Sequence, residues 1–238
     1  MEITTSRYIT LFLSSLLWFV CTLLPAKNVD VQQADHQEAF ISSVSISADL
    51  FGYAYALFSD QYSSSEIGID AGIRNIFFPT FEFGFGSSDK TDFSNGLNYR
   101  ARAPYYRIGF DYNTQHKKNS TGFITVGARY GYTSFKYDID GYTFIDPVWN
   151  TTFPLNMSNV PGSAHWFELT AGIRSILWRN IGMSWSIRYK IRLYAKDGNN
   201  SSPWYVPGMG VNRATWISGT YRVFFSIPFK NPKQHEPR

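Results

Sequence analysis

Apolar and polar residues alternate with a period of two along most of this chain. The alternation breaks into eight segments: Ser43 to Phe58, Ser65 to Arg74, Ile76 to Ser87, Pro104 to Thr114, Thr121 to Phe135, Ala164 to Leu177, Ile181 to Ala195 and Ala214 to Phe229. A period of two is that of a strand, whose successive side chains point to opposite faces. Each segment reaches the roughly 9 to 11 residues that a tilted strand needs to cross a bilayer. No amphipathic helical period competes with them, so no helix is expected. The pattern predicts an all-β domain: an eight-stranded antiparallel up-and-down transmembrane β-barrel.

The connections sharpen this reading. With the first strand rising from the periplasm, that side carries Arg74-Asn75, "QHKKNS" and "WRN", all short. The opposite side carries "SDQYSSS", then Ser88 to Ala103, Lys136 to Ser163 and Lys196 to Arg213. Short turns at one end and long loops at the other, with an even strand number, is the habit of outer-membrane barrels.

Parity alone does not say which row faces inward, because a soluble barrel shows the same alternation inside out. Side-chain size decides. Gly68, Gly72, Gly84, Gly86, Gly109, Gly127, Gly131, Gly172 and Gly182 share the polar row with long charged residues, whereas Phe77, Phe81, Phe83 and Phe85 fall on the other row. An eight-stranded barrel is only just wide enough for side chains to fill, so the polar row is expected inside and the aromatic row against lipid. In "YYRIGFDYN", Arg107 and Asp111 then face the lumen, and Tyr106, Ile108, Phe110 and Tyr112 face the membrane.

The inward charges on this assignment are Asp49, Glu66, Asp70, Glu82, Asp111 and Glu168 against Arg74, Arg107, Arg129, Arg174, Arg188, Lys190, Arg192 and Arg222. Charges in so narrow a space are tolerable only when paired, so a salt-bridge network plugging the barrel is expected, with Glu168 reaching the Arg188 to Arg192 row. A narrow, anion-leaning pore is the alternative. Pro79 inside the third segment implies a bulge or a later start. Trp166 and Trp216 fall on the lumen parity, which suggests bulges at the upper ends of their strands. The first segment is irregular at Phe51, Tyr53 and Tyr55.

Composition agrees with strands that are apolar on one side only: 18% aromatic, 17% charged, and a mean hydropathy of −0.23 over 238 residues. The long apolar run from Ile9 to Leu24 follows Arg7 and precedes Pro25-Ala26, which reads as a secretory signal over 1–26, with an uncleaved anchor as the alternative. A polar leader covers 27–42, the barrel 43–229 and a tail 230–238. Cys21, the single cysteine, lies in the signal, so no disulfide, thiolate metal site or catalytic thiol is expected after it. A net charge of +4, spread along the chain, does not suggest nucleic acid.

Candidate chemistry is sparse. Ser163 and His165 share a face with Glu168 nearby, the ingredients of a lipid hydrolase at the membrane surface, but a rim histidine is the commoner explanation and no oxyanion site can be read. His36, His116 and His235 lie in the leader, a turn and the tail, with no metal spacing. "GFGSSDK" has a Gly-x-Gly without a following helix, and strand glycines account for it. Sequons at Asn119 and Asn150 are short patterns that arise by chance. The apolar loop "PWYVPGMG", 203–210, is expected to fold over the barrel mouth, with a partner surface as the alternative. No cofactor is expected.

Several stretches together, "YYRIGFDYN", "GARYGYTSF", "AHWFELTAGIR", "SWSIRYK", "PWYVPGMG" and the closing "SIPF", resemble an uncharacterised Bacteroidota family of small outer-membrane β-barrel proteins. The likeness spans Ser43 to Phe229. It implies a location and an architecture, and it carries over no catalytic residue. The terminal "YRVFFSIPF" also looks like a barrel-assembly signal. The expected protein is non-enzymatic, structural or partner-binding through its external loops. Its partners would be outer-membrane lipid and lipopolysaccharide, the barrel-assembly machinery and an extracellular or envelope protein.

Overall fold

The computed structural model describes residues 40–50, 52, 62–92, 96–117, 122–145, 148–149, 151–198 and 201–229. The signal, Cys21, His36, most of the leader, Phe51, Tyr53, Tyr55, the asparagines of both sequons, and the tail with His235 lie outside them. Among the described residues, eight long strands form the wall: β1 (Ile41–Asp49), β2 (Tyr62–Ile73), β3 (Phe77–Asp92), β4 (Leu97–Asn113), β5 (Gly122–Ile145), β6 (Thr152–Trp178), β7 (Ile181–Lys196) and β10 (Thr215–Pro228). They pair antiparallel in chain order. The ring closes where β10 meets β1, with Asp49 opposite Arg222. Between β7 and β10, the short β8 (Tyr205–Val206) and β9 (Gly210–Val211) make a hairpin of their own.

The short-turn end is built as the sequence implies. Arg74 and Asn75 take φ of 51° and 54°, and Ile76 N donates to Ile73 O at 2.9 Å, the doubly left-handed two-residue turn that matches strand twist. Arg74 is consequently exposed on this turn and not in the lumen.

Three expectations about strand limits are corrected. β1 stops at Asp49 instead of Phe58, and Leu50 and Gly52 take helical geometry, against the expectation of no helix. On the inward row Ser43, Ser45, Ser47 and Asp49 would next be followed by the bulky Phe51. The stretches 88–103 and 136–163 are largely strand, because β3 and β4 run out to Asp92 and back from Leu97, and β5 and β6 to Ile145 and back from Thr152. Pro79 causes no bulge against β4, where it sits opposite Phe110 in continuous register. The β2–β3 ladder skips from Asp70↔Thr80 to Ile73↔Phe77, and Pro79, which lacks an N–H, falls in that gap.

The strand extensions looked like loops because the polarity of the alternation inverts while its parity holds. On β4 the inward row runs Asp111, Gly109, Arg107 and then Tyr105, Ala103, Ala101, Tyr99, all four of the latter buried. The outward row runs Phe110, Ile108, Tyr106 and then Arg102 and Arg100, with Ile108, Tyr106 and both arginines exposed. β5 repeats this, with Arg129 giving way inside to Phe135, Tyr137 and Ile139, and Tyr132 outside to Ser134 and Lys136. One zone of the wall is thus apolar outside and charged inside. The zone beyond it is polar outside and encloses an apolar cluster of Tyr99, Tyr105, Phe135, Tyr137, Trp166, Val206 and Met209 among others.

Candidate functional site: the charged lumen and its hairpin plug

The outward face of the first zone is exposed hydrocarbon: Ile108 is 63% accessible and Ile217 65%, whereas Glu82 and Glu168 inside are at 0%. Strand register creates the internal network by setting opposite charges across the ladder. Glu82 lies opposite Arg107, and Arg129 opposite Glu168, which in turn faces Lys190.

Glu82 lies at the centre. Its carboxylate meets Arg107 at 3.1 Å, Arg129 at 3.0 Å, Arg188 at 2.9 Å and Arg222 at 2.8 Å. Glu66 pairs with Arg107 and Arg222, and lies 3.3 Å from Arg188. Glu168 lies 2.9 Å from Arg107 Nε and 3.2 Å from Arg188, with Lys190 at 3.9 Å. Asp111 takes the other edge of Arg129, at 2.7 Å. Neutral donors complete the carboxylates: Tyr105 Oη to Glu66 at 3.0 Å and Trp166 Nε1 to Glu168 at 2.6 Å. Such a network holds when its members satisfy one another, since an unpaired buried charge costs several kcal/mol.

Four carboxylates here face five cations, and the hairpin between β7 and β10 answers the surplus. Gly208 O accepts from Arg107 Nη2 at 2.8 Å and from Lys190 Nζ at 2.8 Å, and Met209 O accepts from Lys190 at 3.1 Å. The carbonyls are aimed by a tight turn, Val206-Pro207-Gly208-Met209, closed by Met209 N to Val206 O at 3.1 Å, with Gly208 at φ 81°. Proline second and glycine third is the residue pair a type II turn asks for. Room for the turn is made on β3: a Cβ at Gly86 would stand 3.0 Å from Gly208 N and from Pro207 Cα. The loop at 203–210 therefore lies in the mouth of the barrel, in one apolar cluster with Tyr99, Tyr105 and Tyr137.

Trp166 separates the charges from the apolar cap. It is fully buried and faces inward, its ring against Gly131. The bulge expected near it is present but falls on β7, where Leu193 is skipped between His165↔Tyr194 and Trp166↔Arg192, so it does not turn the indole outward. Trp216 sits in continuous register and packs at the mouth beside Gly210, contrary to the expected bulge. Burial pushes the phenols of Tyr99 and Tyr205 above their ordinary range. Tyr99 Oη donates to Tyr205 O at 2.8 Å.

On the short-turn side of the network, Arg174 pairs with Asp70 at 2.8 Å, donates to Ser45 Oγ at 2.6 Å, and lies over the rings of Phe224 and Phe78 at 4.1 and 5.1 Å. A polar cavity of about 40 Å³ remains between this floor and the network, bordered by Ser47, Thr80, Thr170, Ser184 and Ser186. That is room for about three waters.

Of the predicted lumen residues, Glu66, Glu82, Arg107, Asp111, Arg129, Glu168, Arg188, Lys190 and Arg222 come together. Asp70 and Arg174 form a separate pair. Asp49 is buried beside β10, its Oδ1 accepting from Tyr221 N at 3.3 Å. Arg192 does not reach Glu168; it pairs with Asn212 Oδ1. Ser163, His165 and Glu168 do not converge. Glu168 faces inward, whereas His165 stands outside among Tyr130, Tyr132 and Tyr194, with Tyr130 Oη 2.6 Å from Nδ1. Sequence reasoning missed the carbonyl acceptors of Gly208 and Met209, which carry no side-chain signal beyond the Pro-Gly turn itself.

A family model described as a domain of unknown function (DUF6048) matches residues 5–232. No curated protein matches the sequence. Among solved structures, the chain is similar to a major outer membrane protein from Thermus thermophilus, at 10% identity and a TM-score of 0.44 over 78% of this chain and 98% of that one. It is similar to the N-terminal β-barrel domain of Pseudomonas aeruginosa OprF, at 11% and 0.32 over 79% and 98%. It is also similar to Neisserial surface protein A, at 12% and 0.39 over 80% and 98%.

Proposed function

Because this chain belongs to the DUF6048 family, whose description carries no activity, we propose a function from the barrel itself: a non-enzymatic outer-membrane protein with a closed lumen. It stabilises the envelope or presents the β3–β4 and β5–β6 hairpins to a partner outside the cell. The observation that carries this reading is the inversion of polarity along β4 and β5. An apolar exterior around a charged interior suits hydrocarbon, and a polar exterior around an apolar interior suits water. Only a wall crossing from one medium to the other needs both. The same reading includes secretion by the segment at 1–26, delivery by the barrel-assembly machinery, contact with lipopolysaccharide and a source among Bacteroidota. Fractionation of cells producing the full chain tests it: the protein should stay with outer membranes after a carbonate wash, and recovery in the soluble fraction would overturn the reading.

A small pore is the second reading, favoured by the surplus of lumen cations over carboxylates. Planar bilayers separate the two, since a plugged barrel passes no steady current.

A further inference from the structure

On β4, β5 and β7 the first charged side chain met beyond the outward apolar row is basic: Arg102 past Tyr106, Lys136 past Tyr132 and Lys196 past Tyr194. All three are exposed. The pairs Ala101↔Tyr137 and Tyr105↔Thr133 bracket Arg102 and set it opposite Lys136. Like charges directly across a ladder, about 5 Å apart, destabilise the pair unless an anion lies between them. The neighbouring strands do not supply one. Arg102 faces Ser87 on β3, Lys136 faces Pro161 on β6, and Lys196 faces Ser163. The acids farther out on β3 and β5 sit one or two rungs beyond and are engaged there. Asp140 holds Arg100 at 2.5 Å, Asp89 accepts from Asn98 at 3.2 Å, and Asp138 accepts from Asn159 N at 2.6 Å. Among the described residues, none of the three cations makes an ion pair. The sector β4–β7 thus carries unneutralised positive charge at the height where the hydrocarbon-facing row ends, bordered below by Tyr130, Tyr132, His165 and Tyr194.

We propose that Arg102, Lys136 and Lys196 form a seat for the phosphate-bearing headgroup of an acidic membrane lipid, held at the outward edge of the apolar belt. The proposal rests on the membrane reading above. Its chemistry is charge complementarity at an interface: the acyl chains lie along the belt while the phosphate bridges cations that otherwise repel each other.

The test uses the full-length protein folded into phosphatidylcholine vesicles containing a trace of spin-labelled phosphatidic acid or spin-labelled phosphatidylcholine. Phosphatidic acid should be enriched at the wild-type barrel by about fivefold for each engaged cation. The ratio should fall to about one for R102Q/K136Q/K196Q and persist for R102K/K136R/K196R. No enrichment at the wild type, or enrichment unchanged in the glutamine variant, overturns the proposal. Quenching of tryptophan by brominated phosphatidylcholine is read in the same samples. Lost quenching means the barrel is not in the bilayer and sinks the membrane reading, whereas normal quenching without selectivity sinks only the headgroup seat.

Discussion

Arg107 on β4 and Gly208 in the turn between β8 and β9 are joined by a hydrogen bond of 2.8 Å from guanidinium to carbonyl. The same guanidinium pairs with Glu66, Glu82 and Glu168, so the plug and the network form one electrostatic unit. Gly208→Val should break it, because a left-handed φ costs a residue with a Cβ about 1–2 kcal/mol and the new side chain would enter the Tyr105 ring. Bilayers holding the wild type should be electrically quiet and those holding the variant should show current. A silent variant of unaltered stability would mean the hairpin does not seal the lumen.

Glu82→Gln should destabilise the barrel by about 3–5 kcal/mol, since Arg129, Arg188 and Arg222 lose a buried counter-charge together. Arg100→Ala, which breaks an ion pair whose arginine side chain is 52% accessible, should have little effect on stability. Urea unfolding in detergent micelles compares them, and equal midpoints for the two variants would contradict the internal network.

Trp166→Ala should cost about 3–5 kcal/mol by leaving a void under the cap, and it also strips Glu168 of a donor. Gly131→Val attacks the same contact from the other side and should be similarly harmful, whereas Gly96→Ala, at a turn with the nearest atom 3.7 Å from the added methyl, should suffer only from its φ of 68°. Thermal midpoints that rank Gly96→Ala below Gly131→Val would contradict the packing described.

Cysteine scanning addresses orientation. With Cys21 replaced by Ser, single cysteines at Ile108, Val126 and Ile187 should resist a water-soluble maleimide in intact cells, and cysteines at Ser134 and Arg102 should react. Ready labelling of the first set would reverse the inside and outside of the wall. Ile108→Arg should cost about 2–4 kcal/mol if the belt lies in the bilayer core.

The strand number, the faces and the row that carries the inward charges were legible because each rests on a local rule; which of those charges meet was not, since Arg74, Asp49, Asp70, Arg174 and Arg192 lie outside the network. Parity puts Glu82 and Arg107 on one row, and the contrast of Gly68 or Gly127 with Phe81 or Phe83 says that this row is the cramped one. Reach along a strand was less legible. Beyond Tyr106 and Tyr132 the alternation changes sign, so Tyr99 to Ala103 and Lys136 to Ile139 looked like loop even though their backbone never left the sheet. Pro79 is tolerated through a gap in the ladder to β2, which the neighbouring strand sets and the sequence of β3 does not announce.

The chain alone determines a closed alternating wall and the row that lines it, since side-chain direction in a strand follows from residue number and lumen width from strand number. Which charges meet, that Arg192 goes to Asn212 while Arg107 reaches three carboxylates, and that Gly208 and Met209 complete the balance with backbone oxygens, depends on register and on a turn entering from 18 or more residues away. Carbonyls are common to every residue, so only the folded geometry can decide which of them serve as counter-charges.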